Sequence, residues 1–181
     1  GNIGYPVQDT DITILNDDGS AVPEGESGEL AIRGPQVMAG YWNRPEETDK
    51  VMTADGFFKT GDIATMLPDG VFKIVDRKKD MILVSGFNGY PNEVEDVVVQ
   101  HDAVSEVAVV GTPSEASGEE VTAYVVCQPG STIEIEELRR FCKERLTAYK
   151  VPSILHCSEE LPKTNVGKIL RRKLRDEAAQ N

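Results

Sequence analysis

Ile74-Val75-Asp76-Arg77-Lys78-Lys79-Asp80-Met81-Ile82-Leu83-Val84 sets five consecutive charges between two short apolar runs. Each run is the length of a strand. A charge cluster between two strands leaves little apolar surface to cross it, as at a domain boundary. The reading is a domain boundary near Asp76 to Asp80. By itself the cluster also reads as a solvated surface turn.

Upstream the pattern is β-rich. Ile63 to Leu67 and Val71 to Val75 flank Pro68-Asp69-Gly70, a hairpin signal. Asp11 to Leu15 alternates and ends in Asn16-Asp17-Asp18-Gly19. Gly28 to Gly34 is a strand bracketed by glycines, and Pro45 to Met52 reads as a short helix with Pro45 in its first turn. Downstream the order is mixed. Met81 to Val84, Val104 to Val110, Val121 to Cys127 and Ser153 to Cys157 read as strands. Pro91 to Gln100, Ile135 to Leu146 and Ile169 to Ala179 read as helices, the first with Val94, Val97 and Val98 on one face. The fold class is α+β.

Composition bounds the function. The 181 residues carry 19 basic and 31 acidic side chains, net −12, which excludes general nucleic-acid binding. The 39% hydrophobic content is that of a globular chain. There is no apolar run of membrane-spanning length and no basic-then-apolar leader. The first residue is Gly, so the chain is expected to be part of a longer one. Cys127, Cys142 and Cys157 form no CxxC pair, and His101 and His156 are the only histidines. Reduced thiols and no metal site are expected. Charge is uneven: Lys163 to Arg175 is basic with no acid.

The common phosphate cradles GxxxxGK[ST] and GxGxxG are missing, as are GxSxG and HExxH. Three segments remain. In Phe58-Lys59-Thr60-Gly61-Asp62, Gly61 permits a tight turn, and Asp62 either accepts bonds from vicinal ribose hydroxyls or stabilises its own turn. In Leu161 to Lys168, Pro, Asn and Gly make a loop. Lys168 either neutralises charge developing between a carboxylate and a phosphate, or is a solvated lysine ahead of a basic helix. Ser85-Gly86-Phe87-Asn88-Gly89-Tyr90-Pro91 either lines a narrow channel or only turns the chain.

Together and in this order, the segments resemble the adenylate-forming superfamily over essentially the whole chain. Asp55 to Asp62 through Asp76 to Lys79 resembles the fatty-acyl-CoA synthetase signature. GELAIRGPQVMAGYW, DRKKDMILVSGFNGYPNEVE and LPKTNVGKILRRKLR resemble the C-terminal portion of bacterial long-chain fatty acid–CoA ligases. The resemblance implies that residues 1–78 are the last, distorted barrel-like subdomain of a large adenylation domain whose remainder is missing. Residues 79–181 are then a mobile C-terminal domain. It implies attack of a fatty acid carboxylate on the α-phosphate of Mg²⁺-bound ATP, then thioester formation with CoA.

By matching position, Asp62 holds the ribose, Ile74 touches the nucleoside and Arg77 binds the ribose or phosphate side. Lys168 is catalytic in adenylation. Lys79 is the hinge. Ser85 and Gly86 border the pantetheine tunnel, and Lys143 is a further CoA contact. The Mg²⁺ ligand, the phosphate loop and the acyl pocket belong upstream. Gly89 stands where relatives often carry Val, which is expected to loosen its loop.

The implied location is the cytosol, with peripheral contact at a membrane where long-chain substrates partition. Two other readings stand beside this one. A parent of the same superfamily acts on shorter or aromatic acids or loads a carrier, although Asp76 to Tyr90 resembles the CoA-using members. Alternatively, the chain as given is a non-catalytic binding module.

Overall fold

The structure, a computed structural model, describes residues 2–178. It divides into two compact units that part between Lys79 and Asp80.

The first unit holds β1 (Asp11–Leu15), β2 (Ser27–Arg33), α1 (Pro45–Val51), β3 (Phe58–Met66) and β4 (Phe72–Arg77). The four strands form an antiparallel meander in chain order. Alternation explains its core: Ile12 pairs with Ile32 and Ile14 with Leu30, and these join Ala64, Met66, Phe72 and Ile74 on one face. β3 begins at Phe58, ahead of the expected Ile63, because Phe58 and Lys59 pair with Ile32 and Ala31. The register slips across Thr60 and Gly61, and Gly61 has φ of 75°. A glycine that reads as a turn is thus an irregularity within a strand.

The second unit holds β5 (Ile82–Val84), β6 (Phe87–Gly89), α2 (Pro91–Val98), β7 (Val104–Ser114), β8 (Gly118–Cys127), α3 (Ile135–Lys143), β9 (Ile154–Cys157) and α4 (Arg171–Ala178). Its sheet runs β6-β5-β8-β7, with β9 parallel to β8. That parallel pair needs a crossover, and α3 supplies it. The run Val107 to Val110 is apolar without alternation because both faces of β7 are covered. Val107 and Val109 pack with Val94, Val98, Leu138 and Cys142 from α2 and α3. Ala108 and Val110 pack with Tyr124, Leu161 and Leu174. Burial at Leu138's side pushes the Cys142 thiol up to about 11.

The α+β class is as the sequence implies, with differences at element ends. α4 starts at Arg171, because Ile169 is bridged to Lys163. The expected helix end at Ala179 lies outside the described residues. Ser85 and Gly86 are the centre of a two-residue hairpin between β5 and β6, both with positive φ (51° and 86°), the signature of a primed turn. Gly89 loosens no loop: it is a buried residue of β6 paired with Ile82.

Candidate functional site

In the first unit, Asp62 and Arg77 are partners across β3 and β4. The Arg77 Nε lies 2.7 Å from Asp62 Oδ1, with the aspartate side chain 28% and the arginine 58% exposed. Local bonds shape the strand irregularity before Asp62. Its backbone N–H donates to Thr60 Oγ1 at 3.1 Å, and Thr60 Oγ1 donates to the Leu30 carbonyl at 2.9 Å. The Gly61 N–H donates to Glu29 Oε1 at 3.2 Å.

Register puts Ile74 on the same face. Ala64 pairs with Ile74 and Ile63 with Asp76, so Val75 is an extra residue in β4. Three positions apart in a regular strand, Ile74 and Arg77 would fall on opposite faces; the bulge absorbs Val75 and leaves Arg77 on the side of Ile74, Ala64 and Asp62. Asp76 turns the other way, is buried, and accepts the Arg77 N–H at 2.7 Å. Ile74 is half-buried against the meander core.

Lys79 is exposed within a single 3₁₀ turn, Lys78–Asp80, and its neighbours are both held. The Lys78 ammonium meets Asp17 at 2.8 Å and Glu29 at 3.0 Å in the first unit. Asp80 accepts from Arg175 at 2.7 Å in the second. Glu29 therefore touches both the strand irregularity before Asp62 and the residue before Lys79. Sequence reasoning missed it, because an acid in an alternating strand carries no signal of what it meets.

In the second unit, the Ser85 N–H donates to the Ser117 carbonyl at 2.8 Å, tying the β5–β6 turn to the start of β8. A cavity of about 530 Å³ opens beside it, lined by Val84, Ser117, Arg139, Lys143, Tyr149 and Ser153 among others. Lys143 and the strand that leads to Ser85 and Gly86 thus border one space. Arg139 Nε there is buried with no hydrogen-bond partner among the described residues.

Lys168 is exposed on a closed loop. Lys163 and Ile169 bridge its base. The Thr164 N–H donates to the Lys168 carbonyl at 2.7 Å, and the Lys168 N–H to Thr164 Oγ1 at 3.1 Å. Gly167 takes the positive φ, 81°, that this return needs. Buried Leu161 and half-buried Ile169 fasten the base to the core that includes Leu174. Among the described residues, no group of three or more His, Cys, Asp or Glu side chains is arranged to hold a metal.

The AMP-binding enzyme family matches residues 1–42, and the AMP-binding enzyme C-terminal domain matches residues 93–168. Both matches are to parts of AMP-binding enzymes. The chain is 57% identical over 178 residues to the long-chain-fatty-acid–CoA ligase of Escherichia coli O6:H1, covering 98% of this chain and 31% of that one. It is 59% identical over 177 residues to the ligase of the same description from Yersinia pestis, with the same coverage. The matched stretch is the C-terminal portion of these ligases. The chain therefore spans about a third of the length of the curated relatives it matches. The crystal structure of ATP-bound MatB from Rhodopseudomonas palustris superposes with a TM-score of 0.93 at 32% identity, over 99% of this chain and 36% of that one. No helix of the described residues is long and apolar enough to cross a membrane.

Proposed function

We propose that this chain is the C-terminal part of a long-chain fatty acid–CoA ligase. The carboxylate oxygen of the fatty acid attacks the α-phosphorus of ATP and pyrophosphate leaves. The CoA sulfur then attacks the acyl carbon and AMP leaves with the bonding pair.

The observation that carries this reading is the Asp62–Arg77 pair, a half-buried carboxylate and an exposed guanidinium, sharing a sheet face with Ile74. Asp62 accepts hydrogen bonds from the ribose hydroxyls. Arg77 faces the ribose and phosphate side, and Ile74 offers apolar contact to the nucleoside. Lys168, on its closed and exposed loop, places an ammonium where the carboxylate and α-phosphate meet, which stabilises the charge of adenylation. Residues 1–78 are the last subdomain of the adenylation domain, and residues 79–181 are a domain that turns about Lys79 between half-reactions. After the turn, Ser85 and Gly86 border the pantetheine arm, and Lys143, which lines the cavity beside Val84, meets CoA. Mg²⁺ accompanies ATP in the parent, and its ligands belong to other residues. The parent works in the cytosol and meets its substrate at the membrane face.

The test supplies the full-length parent with ATP, CoA and fatty acids of graded length. Acyl-CoA and acyl-adenylate are quantified separately. Acyl-CoA greatest for long chains supports the reading. A maximum with short or aromatic acids moves the substrate class, and adenylate without thioester moves the parent to carrier loading. The 181-residue chain alone holds no phosphate loop, and is expected to act as a binding module with no ATP–pyrophosphate exchange.

A further inference from the structure

The residue that opens α4, Arg171, lies three positions after Lys168 and is held by several side-chain hydrogen bonds. Arg171 donates through Nε to Glu95 Oε1 at 3.1 Å and through Nη2 to Glu95 Oε2 at 2.7 Å. The same Nη2 reaches Asn92 Oδ1 at 2.6 Å. Glu95 is fixed in turn, since its Oε1 accepts the Val109 N–H of β7 at 2.8 Å. Both side chains are largely buried, 21% and 16% exposed. A bidentate, shielded guanidinium–carboxylate pair is both stronger and more directional than a surface ion pair.

The clasp acts on a short segment. Ile169 is bridged to Lys163, and the Leu170 N–H donates to the Pro162 carbonyl at 2.8 Å. Leu174 is buried one turn beyond Arg171, and Arg175 on the same stripe holds Asp80. By contrast, Arg172 and Lys173 face outward, with only long pairs to Asp176 and Glu177 at 3.7 and 3.8 Å.

We propose that Arg171 is a positioning residue for Lys168: by clasping Glu95 and Asn92 it fixes the start of α4, and with it the C-terminal stem of the loop that carries the ammonium. The inference rests on the assignment of Lys168 to adenylation. A loosened stem lets the ammonium wander, and a displacement of an ångström at a reacting centre is costly. It leaves the nucleotide contacts and the thioester step untouched.

The experiment uses the full-length parent with Arg171→Ala, Arg171→Lys, Arg172→Ala and Lys168→Ala. Adenylate formation and thioester formation from supplied acyl-adenylate are measured separately. Arg171→Ala is expected to lower the adenylation kcat about tenfold or more at unchanged KM for ATP, with the second half-reaction kept. Arg171→Lys restores part of the loss, and Arg172→Ala keeps both rates. If Arg171→Ala melts below assay temperature, Arg171→Lys carries the test, since it keeps charge but not the fork. Equal losses in both half-reactions, or full adenylation beside an inactive Lys168→Ala, overturn the positioning role. Full adenylation by Lys168→Ala removes the assignment beneath it, and the inference with it.

Discussion

Arg77 meets Asp62 at 2.7 Å beside a bulge at which β4 carries one residue more than β3 opposite it. Val75 is the extra residue. The bulge absorbs it, so Asp76 still lies opposite Ile63 and Arg77 opposite Asp62, on the face of Ile74. Three residues spaced irregularly in sequence therefore stand together, and the device is a bulge, a common way to re-aim side chains beside a site.

Removing either member of this pair should weaken nucleotide binding. Asp62→Ala in the parent is expected to raise KM for ATP about tenfold to a hundredfold, the range of a lost charged hydrogen bond. Arg77→Ala should act in the same direction. The double variant should cost less than the sum, because the residues are in contact. Additive losses would separate their roles.

Lys78 predicts an alkaline limit to the first unit. Its hydrogen bond to Asp17 holds its pKa above the ordinary lysine value of 10.5; burial opposes this, and Glu29 adds to the rise. A raised folded pKa means that the folded state binds the proton more tightly. The contribution is complete below 10.5 and is lost as pH rises through the folded value. Denaturant titrations of the chain at increasing alkaline pH should show this decline, and Lys78→Met should lack that part of it.

Gly89 has room for a methyl group. A Cβ there would lie 3.4 Å from the Ile82 carbonyl oxygen and 3.7 Å from Ile82 Cβ, ordinary contact, and the strand backbone suits any residue. Gly89→Ala is expected to stabilise the second unit by about 0.4–1 kcal/mol, chiefly by restricting the unfolded chain. Gly86→Ala, at φ of 86°, should destabilise it. Thermal melts of both variants distinguish a strand glycine from a turn glycine.

Much of the fold was legible because burial imposes period. The meander core follows alternation at Ile12, Ile14, Leu30 and Ile32, and the apolar run at Val107 to Val110 marks a strand covered on both faces. What stayed hidden depends on long-range pairing. Glycine at 61 reads as a turn until β2 pairs on both sides of it. Ser85-Gly86 reads as a loose loop until β6 closes the hairpin. Of the candidate site, the motifs named Asp62, Arg77 and Lys168. The supports at Glu29, Glu95 and Asn92 lie far from them in sequence and carry no motif of their own.

Lys79, the proposed hinge, stands between two anchored neighbours, Lys78 and Asp80, and a hinge needs only a few residues that absorb a dihedral change. Lys79→Pro fixes φ there. In the parent it should slow passage between half-reactions while leaving KM for ATP within about twofold of the unaltered enzyme. Full rates in both half-reactions would remove the hinge.

The most direct measurement is rapid-quench kinetics of the parent carrying Lys168→Ala, with acyl-adenylate and acyl-CoA followed separately. The account predicts adenylation slower by about a hundredfold or more, with thioester formation from supplied acyl-adenylate retained. Adenylation at the unaltered rate would contradict it.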